Sequence, residues 1–152
     1  MLYNKILVGV DESEDAMETV NKALEFKERK DSEVIIFHSF IHDLAEISPS
    51  FSLVRISNPS VSLIIHEDNV NQGKNILKKV EKIFKKVGKE IRTRLIFDIP
   101  SEDYILKGVS EENFDLVILG CKGKHSKLKR VFLGTKPNKV INNANCDVLI
   151  VR

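Results

Sequence analysis

Tryptophan is absent from the 152 residues, and cysteine occurs only twice, at Cys121 and Cys146. Two cysteines cannot staple a small fold at several points. They lack CxxC spacing and a neighbouring Cys/His cluster, so dithiol redox chemistry and structural zinc are set aside and both thiols read as inert. Long apolar runs are missing as well, which excludes a bilayer-spanning helix. The opening Met1-Leu2-Tyr3-Asn4-Lys5 carries no signal-peptide pattern, and a soluble cytoplasmic protein is the expectation. Net charge is nearly absent too: 24 Lys and Arg against 22 Asp and Glu leave +2, too little to imply a nucleic-acid or membrane partner for the chain as a whole. No HExxH, no GxxxxGK[ST] and no Ser-His-Asp or Cys-His order occurs, so zinc-peptidase, P-loop and triad chemistry drop out and no catalytic residue is assigned.

What remains is 42% hydrophobic and 30% charged, the balance of a globular domain, and residues 1–152 read as one domain with a core of ordinary size. Lys5 to Val10 is a β-branched run, a first strand that ends in a turn at Asp11. Ser13 then caps a helix with Glu14 and Asp15 in its first turn and Ala16, Val20, Ala23, Leu24 and Lys27 along one face. Val34 to Phe40 is nearly continuous in apolar character, the mark of a strand covered on both faces. Its His38 reads as a satisfied core histidine. The stretch 41–59 has neither period and holds Pro49 and Pro59, so it reads as a long connection. From about Val61 to Val87 apolar residues recur at spacings of three and four, with lysines between them and Gly88 as the stop, which predicts a long amphipathic helix. Ile91 to Phe97 is a third strand, Ser101 opens a helix with Glu102 and Asp103 in its first turn, and Phe114 to Leu119 is a fourth strand. A short helix over Thr135 to Asn143 and a fifth strand over Val148 to Val151 complete the chain. Strand and helix alternate throughout, so the expected fold is α/β, a parallel sheet with right-handed crossovers and helices on both faces.

Acid is missing from one stretch altogether. Between Leu116 and Cys146 there is no Asp or Glu, while Lys122, Lys124, Lys127, Lys129, Arg130, Lys136 and Lys139 all fall there. Three of the seven glycines, Gly120, Gly123 and Gly134, lie in the same stretch, between a buried strand and a helix whose N-cap is expected at Thr135. Backbone N–H groups at a helix start, with added lysines, suit a phosphate. A nucleic-acid patch is disfavoured, because the run has one aromatic residue, Phe132, in an apolar context.

Gly-x-x-Gly, a basic and apolar loop, then Gly-Thr opening a helix, resembles the nucleotide-binding signature of the universal stress protein family. The opening Lys5-Ile6-Leu7-Val8-Gly9-Val10-Asp11-Glu12-Ser13 is similar to the family's first strand and its Asp, and the resemblance spans the whole chain. It implies a three-layer sandwich with strand order 3-2-1-4-5, an adenine nucleotide (ATP, or ADP or AMP) with Mg²⁺ or Mn²⁺, and a regulatory role in stress response with at most slow ATP hydrolysis. The residues it nominates are Gly9, Val10, Asp11, Ser39, Leu119, Gly120, Gly123, Gly134, Thr135 and Lys136. Asp11 would reach ribose hydroxyls or a phosphate-bound metal, and Ser39 would offer backbone groups to adenine. The resemblance also implies a homodimer through the final strand; a nucleotide-free dimeric interaction protein of the same fold is the alternative. Three departures from the family pattern stand out. Ten residues, Lys124 to Leu133, separate the second and third glycines where nine are usual. Asp98 replaces a usual glycine, and Lys136 a usual apolar residue.

Overall fold

The computed structural model describes residues 3–41, 59–121 and 133–152. Five strands, β1 (Lys5–Gly9), β2 (Glu33–Phe40), β3 (Arg92–Phe97), β4 (Leu116–Gly120) and β5 (Asp147–Val151), form one sheet in the order β3-β2-β1-β4-β5. Every neighbouring pair is parallel, with Val8 level with Ile36 on one side and Ile118 on the other. The helices between them are α1 (Glu14–Arg29), α2 (Pro59–Lys86), α3 (Ser101–Glu112) and α4 (Thr135–Asn143). The expected α/β class and strand order are therefore observed. The connection expected over 41–59 lies almost wholly outside the described residues, and the helix expected from about Val61 already begins at Pro59.

The layers follow from the period of two along each strand. Ile6, Val8, Val34, Ile36, Leu116 and Ile118 point to one face and are covered by Ala16, Val20 and Ala23 of α1 and by Leu77, Val80 and Phe84 of α2. Leu7, Ile35, Phe37, Val117 and Leu119 point to the other, beneath Ile105 and Val109 of α3 and Val140 of α4. Central strands covered on both faces must be apolar throughout, and Ile6, Leu7, Val8 and Val34 to Phe37 are at most 1% exposed. Lys27, placed on the apolar face of α1, is indeed buried. Its stem lies in the layer while Nζ donates to Ser32 O and pairs with Asp31 at 2.9 Å.

The outer strand β3 is tied down by charge. Arg94 forks onto Glu112 at the end of α3 with N···O distances of 2.6 and 2.9 Å and also donates to the Tyr104 hydroxyl, while Lys5 Nζ lies 3.6 Å from the same carboxylate. The Arg94 guanidinium holds the Glu112 carboxyl below its usual range. A lowered folded-state value means that this contribution is complete above the ordinary glutamate range and is lost as pH falls through the lowered value. Because the pair is a third exposed, Glu112→Gln is expected to cost about 1 kcal/mol at neutral pH. Urea unfolding at pH 7 and pH 3 checks this: the gap between wild type and variant should shrink at pH 3, and an equal gap at both would contradict an ionic origin.

Candidate functional site

Where strand order reverses, an open parallel sheet leaves a crevice outside the carboxyl ends of its strands. Here the reversal falls between β1 and β4, which lie side by side and in register. The end of β1 therefore delivers Gly9, Val10 and Asp11 beside Leu119 and Gly120 at the end of β4. Gly9 leaves room for its neighbour, since a Cβ there would stand 2.8 Å from Leu119 Cδ2 and the leucine would have to turn aside. Gly120 has the same kind of reason: its Cβ would come within 3.2 Å of Asp15 Cβ and 3.6 Å of the Thr19 hydroxyl. The end of β4 thus abuts the first turn of α1. Asp15 and Thr19 are neighbours that the sequence motif does not reveal, although Asp15 stands one helical turn beyond Asp11.

Asp11 Oδ1 accepts the Ser13 N–H at 2.8 Å, which turns the chain into α1. Ser13 occupies the expected N-cap position, but no side-chain capping bond is made from it. One carboxylate oxygen of Asp11 thus serves the turn itself. At the other side of the reversal, Cys121 donates its N–H to Val151 O at 2.7 Å and its carbonyl accepts the Gly134 N–H at 3.3 Å. That second bond closes the base of the glycine loop. The N-cap of α4 is Gly134, with Thr135 as the first helical residue, which moves the cap expected at Thr135 back by one position. Glycine suits this position because a Cβ would press on the Cys121 carbonyl at 3.3 Å. Pro137 lies in the first turn and has no N–H, so the turn's donors not taken up by Cys121 are those of Thr135 and Lys136. Gly123 lies outside the described residues.

Toward β3 the edge is laced by side chains. His38 Nδ1 donates to Val10 O at 2.9 Å, and the Val10 N–H donates to Phe37 O, so both backbone groups of Val10 already bond within the protein. The ring of His38 packs under Gly73 of α2, where a Cβ would lie 3.0 Å from its Cδ2. This agrees with a packed histidine, and the bond to Val10 adds that it braces the end of β1. Ser39 Oγ donates to Ile99 O, and the Asp98 N–H donates to Phe40 O. Asp98 has φ +55°, the left-handed region where glycine carries no penalty, which is a physical reason for a glycine at this turn.

Cys121 is buried, and Cys146 is half-buried with its thiol pushed up to about 11 by desolvation, which fits their reading as inert. Among the described residues no group of three or more His, Cys, Asp or Glu could hold a metal ion, so Asp11 alone builds no cage. A separate open cavity of about 660 Å³ lies at the opposite, amino-terminal edge, between Tyr3, Phe114, Asp115 and Asp147. Its carboxylates are engaged within the protein: Asp115 accepts the N–H groups of Asn4 and Lys5, and Asp147 accepts the Tyr3 hydroxyl. The carboxyl edge is the better site because it lies at the strand-order reversal and carries the start of α4, where the Thr135 and Lys136 N–H groups are not taken up by Cys121.

Residues 2–152 match the family model described as the universal stress protein family. The chain belongs to the universal stress protein family. Its relatives include two universal stress proteins of Methanocaldococcus jannaschii. MJ0531 is 30% identical over 99% of this chain and 83% of its own length, and MJ0577 is 32% identical over 100% and 96%. The solved structure of MJ0577 superimposes with a TM-score of 0.80, 26% identical, over 99% of this chain and 96% of that one. A universal stress protein of Archaeoglobus fulgidus solved with dAMP has a TM-score of 0.68 at 19% identity, each chain covered in full. A further structure, of a universal stress protein in complex with cAMP, has a TM-score of 0.66 at 22% identity, covering 100% of this chain and 98% of that one. Among the described residues of this universal stress protein no helix is long and apolar enough to cross a membrane.

Proposed function

We propose that this universal stress protein binds an adenine nucleotide along the carboxyl edge of its sheet, with the phosphates at the β4–α4 junction and the base toward β2. The observation that carries the reading is the Gly134 N–H bond to the Cys121 carbonyl, which sets the N-terminus of α4 beside the end of β4 and opposite Asp11. The N–H groups of Thr135 and Lys136, the Lys136 ammonium and the glycine loop with Gly123 would hold phosphate. Asp11 keeps a second carboxylate oxygen for a ribose hydroxyl or for Mg²⁺ or Mn²⁺ carried in on the phosphates. From β4 to β2 is two strand spacings, about 10 Å, so Ser39 stands at the base end of a ligand whose phosphates sit at Gly120. ATP is the ligand favoured by the lysines of the loop, and the dAMP and cAMP held by relatives of this fold support the adenine class. The role is that of a cytoplasmic nucleotide-responsive regulator in stress. Hydrolysis needs a base or an oriented water, the sequence carries no motif for one, and turnover is not part of the reading.

A nucleotide-free dimer is the second reading, favoured by Asp98 and by the commitment of both Val10 backbone groups. Asp98→Gly separates the two. It removes a carboxylate from the base end and relaxes the left-handed turn, so ATP affinity should rise severalfold and stability by about 0.5 kcal/mol. Calorimetry and a melting curve check both. A gain in stability with no ATP binding in either protein would favour the second reading.

The proposed assembly is a homodimer through β5, which has β4 on one side and, among the described residues, no strand on the other. An apolar edge with unpaired N–H and C=O groups is satisfied by pairing with a second copy across a two-fold axis.

A further inference from the structure

The small net charge of the chain conceals a separation of charge. Between Lys74 and Lys89 there are seven lysines and one acid, Glu81, so the rest of the chain carries more acid than base. Glu81 accepts the Thr93 hydroxyl at 2.7 Å and is thereby turned toward the sheet. Lys74, Lys78, Lys79, Lys82, Lys85 and Lys86 are all exposed, and among the described residues none of the six meets a carboxylate in an ion pair. At 100° per residue, Lys74, Lys78, Lys82 and Lys85 share an arc of about 80°, with Lys86 and Lys79 about 40° and 60° beyond one side of it. Lys74 to Lys86 makes a straight ridge about 18 Å long. It stands at the outer side of the molecule, because α2 packs on β2 and β3 and β3 is the edge of the sheet.

We infer that this ridge of α2 is a docking surface for the phosphate backbone of duplex DNA, read without regard to sequence. The inference is independent of the nucleotide reading and uses none of its residues. Four to six like charges crowded along one helix repel one another, and a polyanion of matching linear extent relieves that repulsion while releasing its own counterions. Duplex DNA presents one charge per about 1.7 Å of axis, denser than one acidic face of a helix, which offers about two charges per 5.4 Å turn. A membrane surface fits less well, since the apolar face of α2, Leu77, Val80 and Phe84, is spent on the core and leaves nothing to insert. Single strands fit less well too: the one aromatic residue between Glu67 and Lys86 is Phe84, which is fully buried, so no ring is available for stacking. Lysine without arginine gives point charges suited to backbone contact and no fork for a base edge.

The test is fluorescence anisotropy of a labelled random-sequence duplex of about 20 base pairs, titrated with the full chain between 50 and 200 mM salt. Four phosphate contacts predict a log–log salt slope of about −3.5 and roughly a hundredfold loss of affinity over that range. Lys78→Glu/Lys82→Glu should abolish binding at 50 mM salt while leaving the melting temperature and any Mg-ATP binding unchanged, and Lys22→Glu on α1 should have no effect on duplex binding. Three results would overturn the inference. They are no anisotropy change for wild type at 50 mM salt, binding by the double variant equal to wild type, and tighter binding to phosphatidylserine vesicles or poly-glutamate than to the duplex.

Discussion

Ile150→Pro is expected to halve the particle mass seen by light scattering, from twice 17.3 kDa to a single chain, without unfolding the sheet. The reason lies in which way each residue of β5 points its backbone. Val151 O accepts the Cys121 N–H, so the backbone groups of Val151 face β4, and by alternation those of Ile150 face the free edge. Proline at 150 therefore removes a donor from the edge and spares the ladder to β4, the one kind of place where a strand tolerates it. In an antiparallel pair across a two-fold axis each such loss counts twice, and the ring also blocks the approach of the partner strand. The far-ultraviolet spectrum should stay close to that of wild type. A wild-type mass of one chain at micromolar concentration would remove the proposed dimer altogether.

Gly134→Val should lower nucleotide affinity by a hundredfold or more. A Cβ at Gly134 would already press on the Cys121 carbonyl at 3.3 Å, which is backbone at the end of a buried strand, with the Pro137 ring in contact at 3.5 Å. Valine adds two methyl groups and a branched Cβ to that contact, so the Gly134 N–H is expected to leave the Cys121 carbonyl and the first turn of α4 to swing away from β4. The N–H groups of Thr135 and Lys136 would then no longer aim at the phosphate. Gly134→Ala presses on the same carbonyl without the branching and should lose about tenfold. The two variants should melt within a few degrees of each other, because α4 is anchored by Val140, which is fully buried and distant from the substitution. Affinity for Mg-ATP within threefold of wild type in Gly134→Val would show that the phosphates sit elsewhere.

Much of this molecule could be read from residue order alone, and the parts that could not share a cause. The strands were legible because a parallel sheet covered on both faces demands unbroken apolar runs, and Lys5 to Val10, Val34 to Phe40 and Leu116 to Leu119 are such runs. The amphipathic helix over α2 was legible from its three-and-four spacing. Strand order was not available from periodicity, since nothing in Val34 to Phe40 says which strand lies beside it; that came from resemblance to the family. Asp11, Gly120 and Gly134 were found because a glycine's place in a strand-to-helix turn is a local signal. Asp15 and Thr19 against Gly120, and His38 against Val10, are contacts between residues distant in the chain, and only the folded sheet brings them together. The N-cap at Gly134 was misplaced by one residue for the same reason, because the Cys121 carbonyl that crowds the position lies thirteen residues earlier.

Isothermal calorimetry of dialysed wild-type protein with Mg-ATP, paired with a melting curve at millimolar ligand, tests nucleotide binding most directly. A saturable one-to-one heat is predicted, with stabilisation of about 2.7 kcal/mol once the ligand reaches a hundred times its dissociation constant. Flat heats together with an unmoved melting temperature at millimolar Mg-ATP would contradict the nucleotide site and leave the dimer as the function of this fold.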